Sequence, residues 1–168
     1  GAWYLFTTQT AGNVSFVITP NSGNDDYDWV VYNLTNANCS DISGPNASSI
    51  MASANTFGNF GYNGPTGAST ANGGIGNCNG PGSTNGPVWN QDIAVQAGNT
   101  FVLYISNWSA SNSGYTLNFS ASTATIFDNV APSIQSVNQP TCSSTTLTFN
   151  FSENILCNTV QNTDFTLT

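Results

Sequence analysis

Asn24-Asp25-Asp26-Tyr27-Asp28-Trp29-Val30-Val31-Tyr32-Asn33-Leu34 sets three acids at the entrance to an alternating run. Successive side chains of an extended segment point to opposite faces, so Tyr27, Trp29 and Val31 share one face while Asp28, Val30, Tyr32 and Leu34 share the other. Both faces are apolar past Asp28, the pattern of a central strand buried between layers. The acids have no counter-charge: the 168 residues include eight Asp and Glu but no Lys, Arg or His, for a net charge of −8. No side-chain salt bridge can form, and the acids must meet water, backbone N–H groups or a bound cation.

Outward from this strand the chain reads as all-β. Ala2 to Thr7 is aromatic and apolar, and Asn13 to Pro20 sets Val14, Phe16 and Ile18 against Asn13, Ser15 and Thr19. Further strands are predicted at Val88 to Val95, with Trp89, Ile93 and Val95 on one face. Phe101 to Ile105 and Tyr115 to Phe119 are predicted to pair with each other. No window shows apolar residues at helical spacing. Between them, residues 36–87 form a Gly/Asn-rich excursion punctuated by turn-forming Asn-Gly pairs at Asn63, Asn72, Asn79 and Asn85, and a loop of that length is expected to be functional or disordered. Its Gly74-Ile75-Gly76 is no nucleotide loop, because no strand precedes it and no helix follows. The expected organisation is a β-sandwich over residues 1–122, a linker over 123–132 and an incomplete second β domain over 133–168. That second domain has strands at Ile134 to Val137, Thr145 to Phe151 and Asp164 to Thr168.

Composition narrows the function. Phosphate binding rests on Lys and Arg, so nucleic acid is excluded as a partner. No apolar run reaches the roughly 20 residues of a spanning helix. The opening Gly1-Ala2-Trp3 reads as a mature chain or an excised fragment. Four cysteines with no Cys-x-x-Cys and no His favour disulfides in an oxidising compartment. Pairing Cys39 with Cys78 and Cys142 with Cys157 keeps each bridge inside one proposed domain, although three connectivities are open. The longer loop would gain about 4 kcal/mol from closure.

The acidic stretch offers oxygen ligands for Ca²⁺. Asn24-x-Asp26-x-Asp28 has the alternate spacing of a calcium loop, but Trp29 stands where an EF-hand needs Gly and Thr35 where it needs Glu. A site assembled from separate loops is the remaining form, with Asp26 and Asp28 as ligands and Asp25 and Asn107 as secondary candidates. The bland alternative is a solvated acidic turn, since two carboxylates about 5 Å apart repel by under about 1 kcal/mol in water. Catalysis lacks a His or Lys base, a Ser-His arrangement and a cationic oxyanion holder, and the chain reads as no enzyme. Trp108, in a loop, and Tyr62 are candidate glycan-stacking aromatics.

Tyr27-Asp28-Trp29-Val30-Val31-Tyr32, Phe101 through Ser109, and Gly114-Tyr115-Thr116-Leu117-Asn118-Phe119 together resemble the CUB-like, jelly-roll β-sandwich pattern. In calcium-binding CUB domains the acid of the Tyr-Asp-Tyr-type motif and an Asp before the Gly-aromatic strand hold the ion. Carried over, these are Asp28 and Asn107, the second neutral. Ala2-Trp3-Tyr4-Leu5-Phe6-Thr7, Gly12 to Pro20 and Asn38-Cys39-Ser40-Asp41-Ile42 look like large Bacteroidetes cell-surface proteins exported by type IX secretion, gliding-motility adhesins among them. Ala131-Pro132-Ser133-Ile134 with Phe149 to Ile155 is similar to the opening of a bacterial Ig-like repeat. The resemblance implies a non-catalytic module of a multidomain surface adhesin or filament. Its partners would be neighbouring repeats, an extracellular glycan or surface ligand, and the type IX machinery during export. The alternative is a carbohydrate-binding accessory module of a secreted hydrolase.

Overall fold

The structure, a computed structural model, describes residues 1–56, 62–79, 87–127, 132–138, 145–152 and 161. The chain divides into two units, Gly1–Asp128 and Asn129–Thr168. In chain order the first unit carries β1 (Ala2–Thr8), β2 (Gly12–Val14), β3 (Phe16–Pro20) and β4 (Tyr27–Asn33), then two single-turn helices, α1 (Cys39–Ile42) and α2 (Ala47–Ile50). There follow β5 (Met51–Asn55), β6 (Thr66–Ala68), β7 (Cys78–Asn79), β8 (Trp89–Asn90), β9 (Ile93–Val95), β10 (Thr100–Asn107), β11 (Tyr115–Asn118) and β12 (Ile126–Phe127).

Two sheets face each other. One runs β12-β1-β10-β4-β5-β7 and the other β11-β3-β6-β8, with β2 and β9 as a separate short pair. The unit is an all-β sandwich. Its core comes from the inward residues of both sheets: Phe6, Tyr27, Trp29, Val31, Phe101, Leu103 and Ile105 from the larger, Phe16, Ile18 and Ala68 from the smaller. Phe16 meets Trp29 edge-on at 4.8 Å and Phe119 at 5.6 Å, while Phe6 packs between Phe101 and Phe119. Each such side chain stabilises the sandwich by roughly 1.5–3 kcal/mol relative to exposure.

The strand that opens at Tyr27 is central, with β10 on one side and β5 on the other, and buries Tyr27, Trp29 and Val31 as its alternation demands. Its other face is only half-buried, so the expected second covering layer is absent over Asp28, Val30 and Tyr32 among the described residues. Asn13 to Pro20 is two strands. Ser15 breaks the run: its N–H bonds the Ser122 hydroxyl, which donates to the Ser15 carbonyl, and β2 and β3 join different sheets. Val88 to Val95 divides likewise into β8 and β9, and Asn90, not Trp89, is the fully buried residue of β8. Phe101 to Ile105 and Tyr115 to Phe119 do not pair. β10 joins β1 and β4 while β11 joins β3, so the segment between them crosses from one sheet to the other.

The excursion over 36–87 is largely ordered where it is described. It contributes β5, β6 and β7 and is pinned by a buried polar network. The Asn90 amide donates to Ser53 Oγ, the Ala54 carbonyl and the Asn77 carbonyl, each at 2.9 Å. It accepts from Asn55 at 2.8 Å. Gly74 belongs to the same packing, since a Cβ there would lie 1.9 Å from the Asn90 carbonyl oxygen. Cys39 and Cys78 are free, exposed thiols, which corrects the expected bridge. Cys39 borders a groove on β1 and β10 whereas Cys78 lies on edge strand β7, with β4 and β5 between. At about 4.8 Å per strand that exceeds the reach of a disulfide. The first part of the expected linker belongs to the sandwich, with Ala124 buried and β12 paired to β1 at Thr7 and Thr8.

In the second unit β13 (Ile134–Val137) pairs antiparallel with β14 (Phe149–Phe151). Residues 145–148 form no strand. Cys142, Cys157 and the strand expected at Asp164 to Thr168 lie outside the described residues.

Candidate functional site at the sandwich rim

The acidic turn before β4 and the loop after β10 lock together through main-chain and hydroxyl groups. Trp108 N–H donates to the Asp26 carbonyl at 2.8 Å, and Asp26 N–H to Ser109 Oγ at 2.9 Å. Asn21 N–H reaches the Gly114 carbonyl at 2.9 Å, and its side-chain amide the Ser113 carbonyl at 2.9 Å. Ala110, at φ 53°, takes the left-handed turn that lets the second loop fold back.

Asp25 is the most buried acid described, 3% exposed, and its carboxyl oxygen accepts a 2.5 Å hydrogen bond from the Ser111 hydroxyl. Asn107 stands beside it, its amide donating to Ser111 Oγ at 3.1 Å and to the Tyr27 hydroxyl at 3.0 Å. Burial pushes the Tyr27 phenol up; the Asn107 bond works against this, and the Asp25 charge adds to it. Asn107 Oδ1 is buried with no hydrogen-bond partner.

Asp26 and Asp28 form a separate pair. Burial pushes the Asp26 carboxyl up to about 6, with the charge of Asp28 adding to it. Burial alone raises Asp28, whose side chain stands on the outer face beside Val30 and Tyr32. Tyr62 is near enough for the Asp26 charge to raise its phenol further, after burial, and its hydroxyl donates to the Pro65 carbonyl at 2.7 Å. Trp108 is 65% exposed, with only its backbone tied to Asp26.

The four residues expected to share a cation are thus divided: Asp25 and Asn107 in a group around Ser111, Asp26 and Asp28 in a pair. Among the described residues no three His, Cys, Asp or Glu side chains converge as a metal site would require. In donor chemistry, the two uncompensated carboxyls of the Asp26–Asp28 pair suit a hard cation. Ser109, Ser111 and the Tyr27 hydroxyl, which hold the rim together, went unseen in the sequence. Hydroxyls just before a Gly-aromatic strand were the signal, one lost among so many serines.

The chain matches no protein-family model, no curated protein and no solved structure. Among the described residues no helix is long and apolar enough to cross a membrane.

Proposed function

We propose that the chain is a non-catalytic extracellular module of a multidomain cell-surface adhesin or filament exported by type IX secretion, a CUB-like sandwich followed by the start of an Ig-like repeat. The observation that carries this reading is the Asp25–Ser111 bond, which commits the most buried of the described acids to joining two loops. The remaining rim acids pair without any His, Lys or Arg to share a proton or hold an oxyanion. A rim stiffened this way supports presentation of a surface over turnover of a substrate.

The exposed Trp108 ring favours a second reading, a carbohydrate-binding accessory module of a secreted hydrolase. A glycan array separates the two. Specific binding that Trp108→Ala abolishes and calcium removal leaves intact establishes the second, and no glycan signal leaves the first.

Calcium enters the proposal in a structural role. Asp26 and Asp28 would hold it, and it would supply the positive charge that the side chains lack. Binding to the folded state alone raises the melting temperature by mass action. Asp28→Asn should weaken that gain more than Asp41→Asn, whose carboxyl accepts the Asn38 N–H at the start of α1. A calorimetric scan with no calcium response removes the metal and leaves the module.

A further inference from the structure

The acidic turn stands where β4 begins; where β4 ends, at Asn33, a hollow of about 230 Å³ opens between the larger sheet and the segment Gln91 to Ala94. Buried Phe101 and Ile93 line it together with half-buried Asn33 and Asp92 and exposed Asn77 and Gln91. Each of these four polar residues is held in place by some of its atoms and leaves others open. Asn33 Oδ1 accepts the Thr35 N–H at 2.9 Å, and the Asn33 side-chain NH₂ has no partner among the described residues. One Asp92 carboxylate oxygen accepts the Thr70 N–H at 2.9 Å while the Asp92 N–H donates to Thr70 Oγ1 at 3.0 Å, and the second oxygen is open. The Asn77 carbonyl accepts from the Ala54 N–H at 2.8 Å and from the Asn90 amide at 2.9 Å, and the Gln91 N–H donates to the Gly76 carbonyl at 2.9 Å. Both backbones are thereby fixed, and both side-chain carboxamides are left without a partner among the described residues. The described residues that flank 57–61 and 80–86 stand at the other end of β4. Asn55 and, beside it, Asn79 are level with Trp29, the Pro87 carbonyl accepts from Asn55, and Tyr62 lies near Asp26. Trp29 is about 13 Å along the strand from Asn33.

We infer that this hollow binds one ring of a neutral sugar. A hydroxyl both donates and accepts, and so do the open groups: carboxamides at Asn77 and Gln91, an NH₂ donor at Asn33 and an acceptor oxygen at Asp92. An NH₂ and a carboxylate oxygen side by side suit two neighbouring hydroxyls, while Phe101 and Ile93 offer apolar surface to the C–H groups of the ring. Other ligand classes fit less well. A net charge of −8, with Asp92 in the wall, repels an anion. A hard cation takes several carboxylates, and among the described residues no three acids converge. Size sets the limit of one ring, since the hollow is smaller than the roughly 300–1,000 Å³ that holds a drug-sized molecule. A second hollow of about 280 Å³, lined by Asn36, Ser49 and Met51, shares Asn33 and Ala52 with the first and gives a second ring somewhere to go. Because the polar groups are already placed by their own bonds, little ordering opposes binding. The inference deepens the surface-module reading, on which it rests for its biological sense, by giving that module a ligand class and a site remote from Trp108.

Titration of the full ¹⁵N-labelled chain with glucose, galactose, mannose and N-acetylglucosamine, followed by amide shifts, tests the site. The expected result is saturable shifts with at least one of the four, at a millimolar Kd, centred on the backbone and side-chain amides of Asn33, Asn77 and Gln91 and the backbone amide of Asp92. Glucuronic acid, which carries a carboxylate, is expected to bind at least tenfold more weakly than glucose. Asn77→Ala combined with Gln91→Ala removes two side chains that make no bond within the described fold, and is expected to weaken binding at least tenfold with an unchanged melting temperature. Trp108→Ala is expected to leave binding as it is. No saturable shift from any of the four sugars overturns the inference and leaves the surface module standing. Glucuronic acid bound as tightly as glucose overturns it, and so does affinity that the double substitution leaves unchanged. Shifts centred on Trp108 and lost in Trp108→Ala also overturn it, in favour of the hydrolase-module reading, so the two readings fail separately.

Discussion

The Ser111 hydroxyl lies 2.5 Å from a carboxyl oxygen of Asp25, 86 residues earlier, and this bond closes the rim of the sandwich. A buried polar group left without its partner costs about 1–3 kcal/mol. Ser111→Ala should therefore lower unfolding free energy by that amount. Asp25→Ala combined with it should cost less than the sum of the single changes. Urea titration of the four proteins in a double-mutant cycle measures the coupling.

Asn90 is expected to matter more for stability than any exposed aromatic. Asn90→Ala takes the partner from Ser53, from two carbonyls and from one of the two bonds of the Asn55 amide, and roughly 2–4 kcal/mol should be lost. Trp108→Ala, at the surface, should stay within about 0.5 kcal/mol of the parent. Parallel urea melts compare the two, and equal losses would remove the network from its assigned role.

Asp26 gives the fold a pH dependence of defined sign. Its carboxyl stands at about 6 in the folded chain against 3.8 ordinarily, through burial first and Asp28 second. Between those values the folded state holds a proton that the unfolded state has released, so stability is lost as pH rises through that window. With solvent screening of a partly exposed group allowed for, the effect is about 1 kcal/mol. In calcium-free buffer, Asp26→Asn should be more stable than the parent at pH 7.5 and match it near pH 4. Thermal melts across that range would show the two curves converge.

Cys39 and Cys78 should both react with a thiol reagent in the native protein, since each is exposed and unbridged. Peptide mapping under non-reducing conditions should find no Cys39–Cys78 peptide. A bridge there would require β7 and α1 to be rearranged.

What was legible in the sequence was what alternation encodes. Tyr27, Trp29 and Val31 on one face, and Phe101, Leu103 and Ile105 on another, announced the two central strands of the larger sheet, and all six are buried. Pairing was not legible, because alternation states which face is wet and not which strand lies alongside, so β10 and β11 were paired across what is a crossing between sheets. The rim acids were read as needing water, backbone N–H groups or a cation. Asp25 instead takes a hydroxyl, and a serine in a serine-rich loop carries no periodic signature. Asn90 was hidden for a related reason: a polar residue inside an apolar run reads as the wet face until its partners, dozens of residues away, are in place.

Within the sandwich β1 precedes the other strands, and its partner β10 comes late in the chain. Thr7 waits 93 residues for its cross-strand neighbour Thr100, and the rest of β1 waits for the remainder of β10. Folds closed by such distant pairings form slowly, in milliseconds to seconds. During synthesis Trp3-Tyr4-Leu5-Phe6 therefore has no native strand to pair with until Phe101 to Tyr104 have followed, and the larger sheet can close only once most of the sandwich has been made.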